Sequence, residues 1–481
     1  MPTPSDIDPS PEGALPEPHA GMAPASGPAS SADGQVDVLV IGGGINGTGI
    51  ARDLAGRGWS VVLCEQHDLA QHTSSASTKL IHGGLRYLEY GHLGLVRKAL
   101  IEREGLLRSA PHIMWPLRFV LPHDAGMRPA WMIRLGLWLY DHLAPRDFLP
   151  GTEHLHQVSV QARLVINAAG PWAEQVQGWL ESPSPSASGA VAPASPRAGA
   201  KPAHRLRLVK GSHIVVPRLF THDHAYIFQG RDRRIVFAIP YEQRFTLIGT
   251  TDVEYTGDPG EVGIDEAEVA YLCEAASRYF VRPVQREDVV WTYAGVRPLM
   301  DDAQGNASAV TRDYRFERRG GAAPWISVWG GKITTFRKLA EQCGALVGEL
   351  LGDHRKPWTR GAVLPGGRLL DLIEEEVDPV TDMAEFQQRL RQRHPWMDLA
   401  LLRRWSRQYG SQALRLVEGV TSRADLGAEV APDLYEAELF HLRRQEWACT
   451  GDDVLWRRTK LGLHLDEAQR AAVRQWMAAQ P

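Results

Sequence analysis

The chain has 481 residues and a formal net charge of −4, and 43% of its residues are hydrophobic. These values are typical of a globular protein with two or three domains, and they exclude the strong basic field of a nucleic-acid-binding protein. The four cysteines form no C-x-x-C pair, which predicts reduced thiols in the cytoplasm rather than disulfides or zinc. No apolar run reaches about 18 residues, and no secretory signal is evident. The histidines show no metal-ligand spacing, so no metal is predicted.

The composition divides the chain into segments. Residues 1–34 are rich in Pro, Ala, Ser and Gly, and we predict a disordered tail because they bury too little apolar surface to offset their ordering entropy. A similar bias over 181–204 predicts a flexible linker. Strand and helix signals fill 35–180, β signals fill 205–322, and apolar residues recur at helical spacing over 353–481.

The first folded segment begins with a strand, a glycine-rich turn, a helix and a second strand. Val36–Ile41 is apolar apart from Asp37, Ile45–Ala55 is helical, and Ser60–Cys64 is again an apolar strand. This succession makes one βαβ unit of about 30 residues.

The turn carries the spacing of a dinucleotide fingerprint. Gly42 permits the tight turn, Gly44 lets a pyrophosphate approach the backbone, and Gly47 lets helix and strand pack closely. The helix N-terminus, which includes Asn46, offers N–H groups and partial positive charge to the pyrophosphate. Glu65 follows the second strand and would accept hydrogen bonds from a ribose.

Small hydroxyl residues and paired glycines favour FAD over NAD, because such segments let the backbone lie close to a flat ring. The run after Glu65 supplies the candidates Thr73, Ser74, Ser75, Ser77, Lys79 and Gly83. Gly170 ends a further strand, and Gly331 and Thr334 precede the helical stretch Phe336–Leu346. That helix start would point its positive end at the flavin pyrimidine edge.

These stretches together resemble the FAD-dependent, quinone-linked glycerol-3-phosphate dehydrogenases, relatives of the glycine and D-amino-acid oxidases. The resemblance covers most of residues 36–350 and includes IGGGINGTGIARDLAGRG, TSSASTKLIHGGLRYLEY, INAAGPW, VKGSHIVVPR, WTYAGVRPLMDD and GGKITTFRKLAE. It implies an α/β fold with a Rossmann-like FAD-binding domain of the glutathione-reductase/D-amino-acid-oxidase type, formed by 35–180 and 323–352. A β-rich substrate domain (205–322) and an α-helical C-terminal domain complete it.

The resemblance also implies a reaction. sn-Glycerol 3-phosphate is oxidised to dihydroxyacetone phosphate, its C2 hydrogen leaves as hydride to FAD, and a membrane quinone takes the electrons. A peripheral contact with the inner face of the cell membrane and a homodimer are compatible with this reaction. The aromatic stretch Arg128–Leu143 fits either a buried helix or a membrane-surface helix.

Candidate substrate residues stand at the family's motif positions. Arg297 and Arg312 are expected to bind the phosphate, since guanidinium binds phosphate bidentately; their alternative is an ordinary surface or ion-pair arginine. Arg86, Tyr87 and Lys332 are expected to complete the pocket, with Arg86 and Lys332 near the chemistry. His213 is the expected proton acceptor, because imidazole titrates at about pH 6.5. The alternative, a core histidine bonded to a carbonyl, stays open.

The chain departs from the family between Leu149-Pro150-Gly151 and Val165-Ile166-Asn167. Family members carry a strand, a helix and a strand beside the adenine there, and such a crossover takes about 30 residues. Residues 150–164 cannot hold it, so we place a junction near Leu155–Ser159 and expect weaker FAD binding. Three hypotheses follow: an active dehydrogenase with a compacted FAD domain, a non-catalytic or unstable remnant, and a flavin oxidase of another substrate.

Overall fold

The computed structural model describes residues 35–82, 93–120, 161–181, 206–230, 234–300, 313–321 and 323–480. The predicted tail, the junction near 155–159, the stretch 128–143 and the linker, apart from Glu181, lie outside these residues. No helix in the described part is long and apolar enough to cross a membrane. All four cysteines are free thiols, as predicted.

The strands and helices are numbered in chain order. The strands are β1 (Gln35–Ile41), β2 (Val61–Cys64), β3 (Phe119–Val120), β4 (Gln161–Asn167), β5 (Leu206–Pro217), β6 (Ala225–Gln229), β7 (Ile235–Tyr241), β8 (Phe245–Gly249), β9 (Val253–Glu254), β10 (Trp291–Met300), β11 (Tyr314–Arg319), β12 (Trp325–Gly330), β13 (Glu429–Ala431) and β14 (Leu434–Tyr435). The helices are α1 (Ile45–Gly56), α2 (Leu93–Ser109), α3 (Ala173–Glu181), α4 (Glu266–Ser277), α5 (Phe336–Leu351), α6 (Pro379–Arg393), α7 (Leu399–Tyr409), α8 (Ala413–Leu416), α9 (Glu436–Glu446) and α10 (Glu467–Ala479).

The first sheet contains the glycine-rich turn. Its strand order is β11-β12-β4-β1-β2, with parallel pairing from β12 to β2 and an antiparallel β11. Val38, Val40 and Ile166 are fully buried in its core, together with residues of α1 and α5. The continuous apolar runs in the sequence therefore form a buried parallel sheet, as predicted.

The second sheet is mostly antiparallel and lies beside the first. Its order is β10-β5-β8-β7-β6-β3, and β9 pairs with β5. Helix α4 packs on one face through Val269 and Leu272. A capping box between Asp265 and Glu268 fixes the start of this helix.

Two predicted domain boundaries need correction. Strand β11 falls within the stretch assigned to the substrate domain, but it pairs with β12 in the first sheet. Strand β3 falls within the stretch assigned to the FAD domain, but it pairs with β6 in the second sheet. Strand partners are chosen by long-range packing, and a local apolar pattern carries no information about them.

The C-terminal region is helical, as predicted. Helices α6 to α10 share one core in which Phe386 and Trp405 are fully buried. Asp378 and Asp398 accept backbone N–H bonds at the starts of α6 and α7. The hairpin of β13 and β14 was not predicted, because strands this short show too little alternation to be recognised.

Candidate active site

The glycine-rich turn has the geometry that the fingerprint requires. Gly42 has φ of 109°, and a Cβ on Gly47 would lie 1.8 Å from the Gly42 carbonyl oxygen. A Cβ on Gly44 would meet only the Ser74 hydroxyl, at 3.3 Å. The first glycine thus serves the turn, the third serves close packing, and the second leaves an open approach for a ligand.

Glu65 lies beside this turn at the end of β2. Its Oε2 accepts the Gly43 N–H at 2.7 Å, and its Oε1 accepts the His67 N–H at 3.0 Å. A Cβ on Gly43 would lie 2.6 Å from Leu69 Cδ2 and 2.9 Å from Glu65 Cβ, so a side chain here would displace Glu65 or Leu69. Sequence reasoning missed Gly43 because it stands between fingerprint positions.

A cavity of about 580 Å³ opens at the carboxyl ends of β1, β2 and β4. The glycine turn, Glu65, His72 and Trp172 are among the residues that line it. Gly170 lies on its wall with φ of 56°, and nothing is within 4 Å of a Cβ placed there. The carboxyl ends of parallel strands are where open α/β sheets bind nucleotides.

Residues 65–80, called the flavin loop below, join the two sheets. Ser74 Oγ accepts the Ile45 N–H at the start of α1 at 2.9 Å. Thr73 donates its hydroxyl to the Val296 carbonyl at 2.6 Å, and the Tyr293 hydroxyl donates to the Ser77 carbonyl at 2.9 Å. The loop therefore ties the glycine turn to β10. Within the loop, Lys79 donates its backbone N–H to the Ser77 hydroxyl and its ammonium group to the Ser75 carbonyl.

Lys79 has an unusual environment for a cation. Its φ is 60°, a left-handed conformation that is uncommon for residues other than glycine. The ammonium group donates to the Ser75 carbonyl and lies 4.9 Å from the Tyr293 ring centroid. Lys79 is exposed to solvent, but protein atoms crowd around its side chain. The resulting desolvation, together with the charge of Lys460, lowers its pKa to about 7.

His213 lies in β5 and is fully buried. Its Nε2 is 3.0 Å from the Thr78 hydroxyl, and its ring stacks on Tyr293 at 4.6 Å. Burial, then the charges of Arg297 and Lys79, hold its pKa well below the ordinary value, so the ring is neutral. The group that contacts Nε2 is a hydroxyl rather than the carbonyl of the core-histidine alternative. The catalytic role of His213 stays a prediction.

Arg297 lies on β10 next to β5. Its Nη1 donates to Asp252 Oδ1 at 2.5 Å, and its Nη2 donates to the Thr250 hydroxyl at 2.8 Å. A Cβ on Gly211 would lie 2.2 Å from Arg297 Nη2, so this glycine makes room for the guanidinium. The Asp252 carboxylate fixes the plane of the Arg297 guanidinium. A phosphate would have to share the guanidinium with this carboxylate.

The second glycine pair meets the first turn of α1. Gly330 and Gly331 have φ of 71° and 105°. Asn46 Nδ2 donates to the Gly330 carbonyl at 3.3 Å. Lys332 donates to the His82 carbonyl at 2.6 Å, and Thr334 lies 3.4 Å from the same oxygen. Residues far apart in sequence thus lie together here, and their role in the site stays a prediction. Gly83, Arg86, Tyr87 and Arg312 lie outside the described residues.

A side-chain cluster that the sequence did not indicate lies at the cavity edge. Ligand atoms of Glu65, His67 and His72 lie within 4.8 Å of one another. The two imidazoles are 2.9 Å apart, and His72 packs edge-on against Trp172. Sequence reasoning predicted no metal, because the histidines show no metal-ligand spacing. A cation here and a ribose on Glu65 would exclude each other.

The described site fits FAD. The glycine cradle, the Glu65 carboxylate and the cavity match the pyrophosphate and ribose of a dinucleotide. In addition, Asn46 Oδ1 is buried with no hydrogen-bond partner among the described residues, as expected where a ligand group completes the site. The fold and the site thus define a flavoprotein with a Rossmann-like domain.

Comparison with known families agrees. Residues 37–159 and 146–337 match the family described as FAD dependent oxidoreductase, and residues 358–479 match the C-terminal domain of alpha-glycerophosphate oxidase. The chain belongs to the FAD-dependent oxidoreductase family, and FAD is its cofactor.

Several relatives align over most of the chain. A glycerol-3-phosphate dehydrogenase of Pseudomonas aeruginosa is 43% identical over 92% of this chain and 95% of its own length. A D-erythritol 1-phosphate dehydrogenase of Brucella abortus is 43% identical over 92% of this chain and 97% of its own length. The solved glycerol-3-phosphate dehydrogenase of Bacillus halodurans, complexed with FAD, is 25% identical, has a TM-score of 0.67, and covers 93% of this chain and 90% of its own.

These alignments bear on the predicted gap. The alignment with the Pseudomonas protein spans 515 positions, more than the 481 residues of the chain, so that relative has residues without a counterpart here. The two ranges of the chain that match the FAD-dependent oxidoreductase family overlap at residues 146–159. The junction near 155–159 stays a prediction, because it lies outside the described residues.

Proposed function

We propose that the protein oxidises sn-glycerol 3-phosphate to dihydroxyacetone phosphate and passes the electrons to a membrane quinone. One observation carries this proposal: both the flavin domain and the C-terminal domain match relatives of that activity along most of the chain. FAD, when bound, supplies the hydride acceptor. The residues of the chain have to bind the phosphate, orient C2 and remove the hydroxyl proton.

Arg297 is the phosphate-binding residue that the described part of the site offers. Its contacts with Asp252 and Thr250 hold the guanidinium rigid, which reduces the entropy lost when a phosphate binds. Arg312, Arg86 and Tyr87 join it in the proposal through the family motifs alone. Lys332, held by the His82 carbonyl, supplies a further cation near the glycine pair.

His213 takes the hydroxyl proton in this proposal. A neutral imidazole can accept a proton, and burial keeps His213 neutral near pH 7. Since the ring is fully buried, the Thr78 hydroxyl at 3.0 Å is the route by which the proton reaches Nε2. The C2 hydroxyl loses its proton and the C2 hydrogen leaves as hydride, which leaves the ketone.

Transfer to a membrane quinone requires a contact with the membrane. Ile113 and Trp115 are 53% and 56% exposed on the segment after α2, and such side chains suit a peripheral contact at the inner face of the cell membrane. Flotation with liposomes tests this contact, and light scattering tests the predicted homodimer.

A longer polyol phosphate is the second candidate substrate. The relative from Brucella abortus, a D-erythritol 1-phosphate dehydrogenase, is as similar to this chain as the Pseudomonas enzyme. Both substrates pair a terminal phosphate with a secondary alcohol, so the phosphate-binding arginines would serve either.

One experiment separates these functions. The purified protein is examined for bound flavin, and flavin bleaching is followed anaerobically with glycerol 3-phosphate, erythritol phosphate, glycerol and amino acids. Bleaching by glycerol 3-phosphate but not by glycerol supports the proposal. Faster bleaching by erythritol phosphate would favour the second candidate, and bleaching by amino acids the oxidase alternative. Protein that neither carries nor takes up flavin would identify the non-catalytic remnant.

A further inference from the structure

A carboxylate of the flavin loop is held by two arginines of the C-terminal domain. Asp68 Oδ2 accepts bonds from Arg457 Nε and Arg458 Nη1, each at 2.5 Å. Asp68 Oδ1 accepts from Arg458 Nη2 at 2.7 Å. The side chains of Asp68 and Arg458 are only 14% and 10% exposed. Water screens such a cluster far less than a surface ion pair.

The two arginines are fixed from the side of the C-terminal domain. They end a π-helical turn, Asp453–Arg458, a rare conformation that is frequent at functional sites. Arg458 Nε donates to the Glu446 carbonyl at 2.9 Å, and Arg457 also pairs with Asp453. The arginines therefore act as rigid supports rather than mobile surface groups.

On the other side, Asp68 lies next to residues that touch the glycine turn. Glu65, three residues earlier, holds the Gly43 N–H at 2.7 Å. Ala70, two residues later, donates its N–H to the Gly43 carbonyl at 3.0 Å. Leu69 Cδ2 lies 2.6 Å from the position that a Cβ on Gly43 would take. Asp68 is thus the fixed point between two contacts with one glycine of the turn.

We propose that Asp68 is a positioning residue for FAD, through which Arg457 and Arg458 of the C-terminal domain hold Glu65 and the glycine turn in their binding geometry. The proposal rests on FAD binding at this turn. The cluster keeps its charge at neutral pH, because the two arginines lower the pKa of Asp68 despite the opposing effect of burial. The C-terminal domain thereby stabilises cofactor binding without touching the cofactor.

The test is FAD binding by the full chain with Asp68→Asn. Apoprotein is titrated with FAD, and the dissociation constant is read from flavin fluorescence. We expect a rise of about tenfold, equal to 1.4 kcal/mol, with partial recovery in Asp68→Glu. Asp223→Asn is the matched control, because it removes a similar arginine pair whose carboxylate is 93% exposed. Its dissociation constant should equal that of the wild type.

Arg458→Lys provides a second variant that keeps the charge and loses the bidentate geometry. We expect a smaller rise in the dissociation constant, of about threefold. An unchanged dissociation constant in both variants, with melting temperatures lowered equally with and without FAD, would show a purely structural cluster and overturn the proposal. If the wild type itself took no FAD, the proposed function would fail first and this proposal with it.

Discussion

The two sides of the first sheet differ in how the strands that carry the site are paired. On one side, β12 pairs with both β4 and the edge strand β11, and Ile326 and Val328 of β12 are 0% and 3% exposed. On the other side, the edge strand β2 pairs with β1 alone among the described strands. Its residues 61–63 are half-buried, and Cys64 is exposed. Among the described strands, the strand before the second glycine pair is thus paired on both sides, and the strand before Glu65 is paired on one side.

This difference predicts which part of FAD the protein holds less well. The strand that is paired on both sides leads to Gly330 and Gly331, which meet Asn46 at the start of α1. The strand that is paired on one side leads to Glu65, the predicted ribose ligand. A strand edge without a partner would leave backbone N–H and C=O groups to water and would offer no wall to an adenine. We therefore expect the adenine end of FAD to be held less firmly than the flavin end.

The largest expected effect comes from the turn between the two edges. In Gly47→Ala the new methyl would lie 1.8 Å from the Gly42 carbonyl oxygen, which is backbone and cannot move aside. We expect loss of bound flavin and a fall in unfolding free energy of about 3 kcal/mol. Flavin absorbance and chemical denaturation measure both.

The control for Gly47→Ala is Gly94→Ala in α2, where nothing lies within 4 Å of the new Cβ. That change should leave flavin content unaltered and stabilise the protein slightly, because alanine favours a helix. A normal flavin content in Gly47→Ala would show that the turn is not the cofactor cradle. The difference between the two sides of the sheet would then say nothing about FAD binding.

Arg297 lies on β10 of the second sheet, outside the sheet that carries the glycine turn. Arg297→Ala should raise the Michaelis constant for glycerol 3-phosphate. The loss of binding free energy should be about 1.5–3 kcal/mol, the range for a hydrogen bond to a charged group. FAD affinity should stay unchanged, since Arg297 binds Asp252 and Thr250 rather than the glycine turn. Steady-state kinetics at saturating FAD measures the effect. A loss of flavin with an unchanged Michaelis constant would place Arg297 in the cofactor site instead.

Much of the local structure could be predicted from the sequence. The strand, turn and helix around Gly42 and Gly47 follow from periodicity and glycine spacing, and Glu65 follows from its distance to the turn. The supports of the site could not be predicted. Asp68 meets Arg458 across 390 positions, and no local pattern marks such a pair. The need for glycine at position 211 could not be predicted either, because it arises from the Arg297 guanidinium on a neighbouring strand.

Inserting the segment that we predict to be missing tests the expected weak binding directly. A chimera that carries the Pseudomonas relative's residues at the junction near 155–159 should bind FAD more tightly than this chain. An adenine wall of about 80 Å² contributes about 2 kcal/mol at 25 cal/mol per Å². FAD titration of both proteins measures the difference. An equal affinity would show that the segment is dispensable and that our expectation of weak binding was wrong.

The smallest expected effect concerns protons at the flavin loop. Burial and the charge of Lys460 lower the pKa of Lys79 from its ordinary value of 10.5 to about 7. A bound anion favours the charged form and raises that pKa again. FAD binding at pH 8 should therefore take up a fraction of a proton, whereas at pH 6 Lys79 is already charged and uptake should be small. Calorimetry in two buffers of different ionisation enthalpy measures this uptake.

The same pKa fixes the sign of the stability change in the apoprotein. Between about pH 7 and 10 the unfolded chain binds more protons at Lys79 than the folded chain, so stability should rise with pH across that window. Lys79→Met should remove part of the proton uptake and flatten this rise, and the exposed Lys356→Met should change neither. Lys460, whose pKa is lowered to about 8 by burial, titrates in the same window, so Lys460→Met shows how the uptake divides between the two lysines. Undiminished uptake in Lys79→Met would mean that the anion of FAD lies away from Lys79. The flavin loop would then bind the cofactor through Ser74 and Glu65 without this lysine.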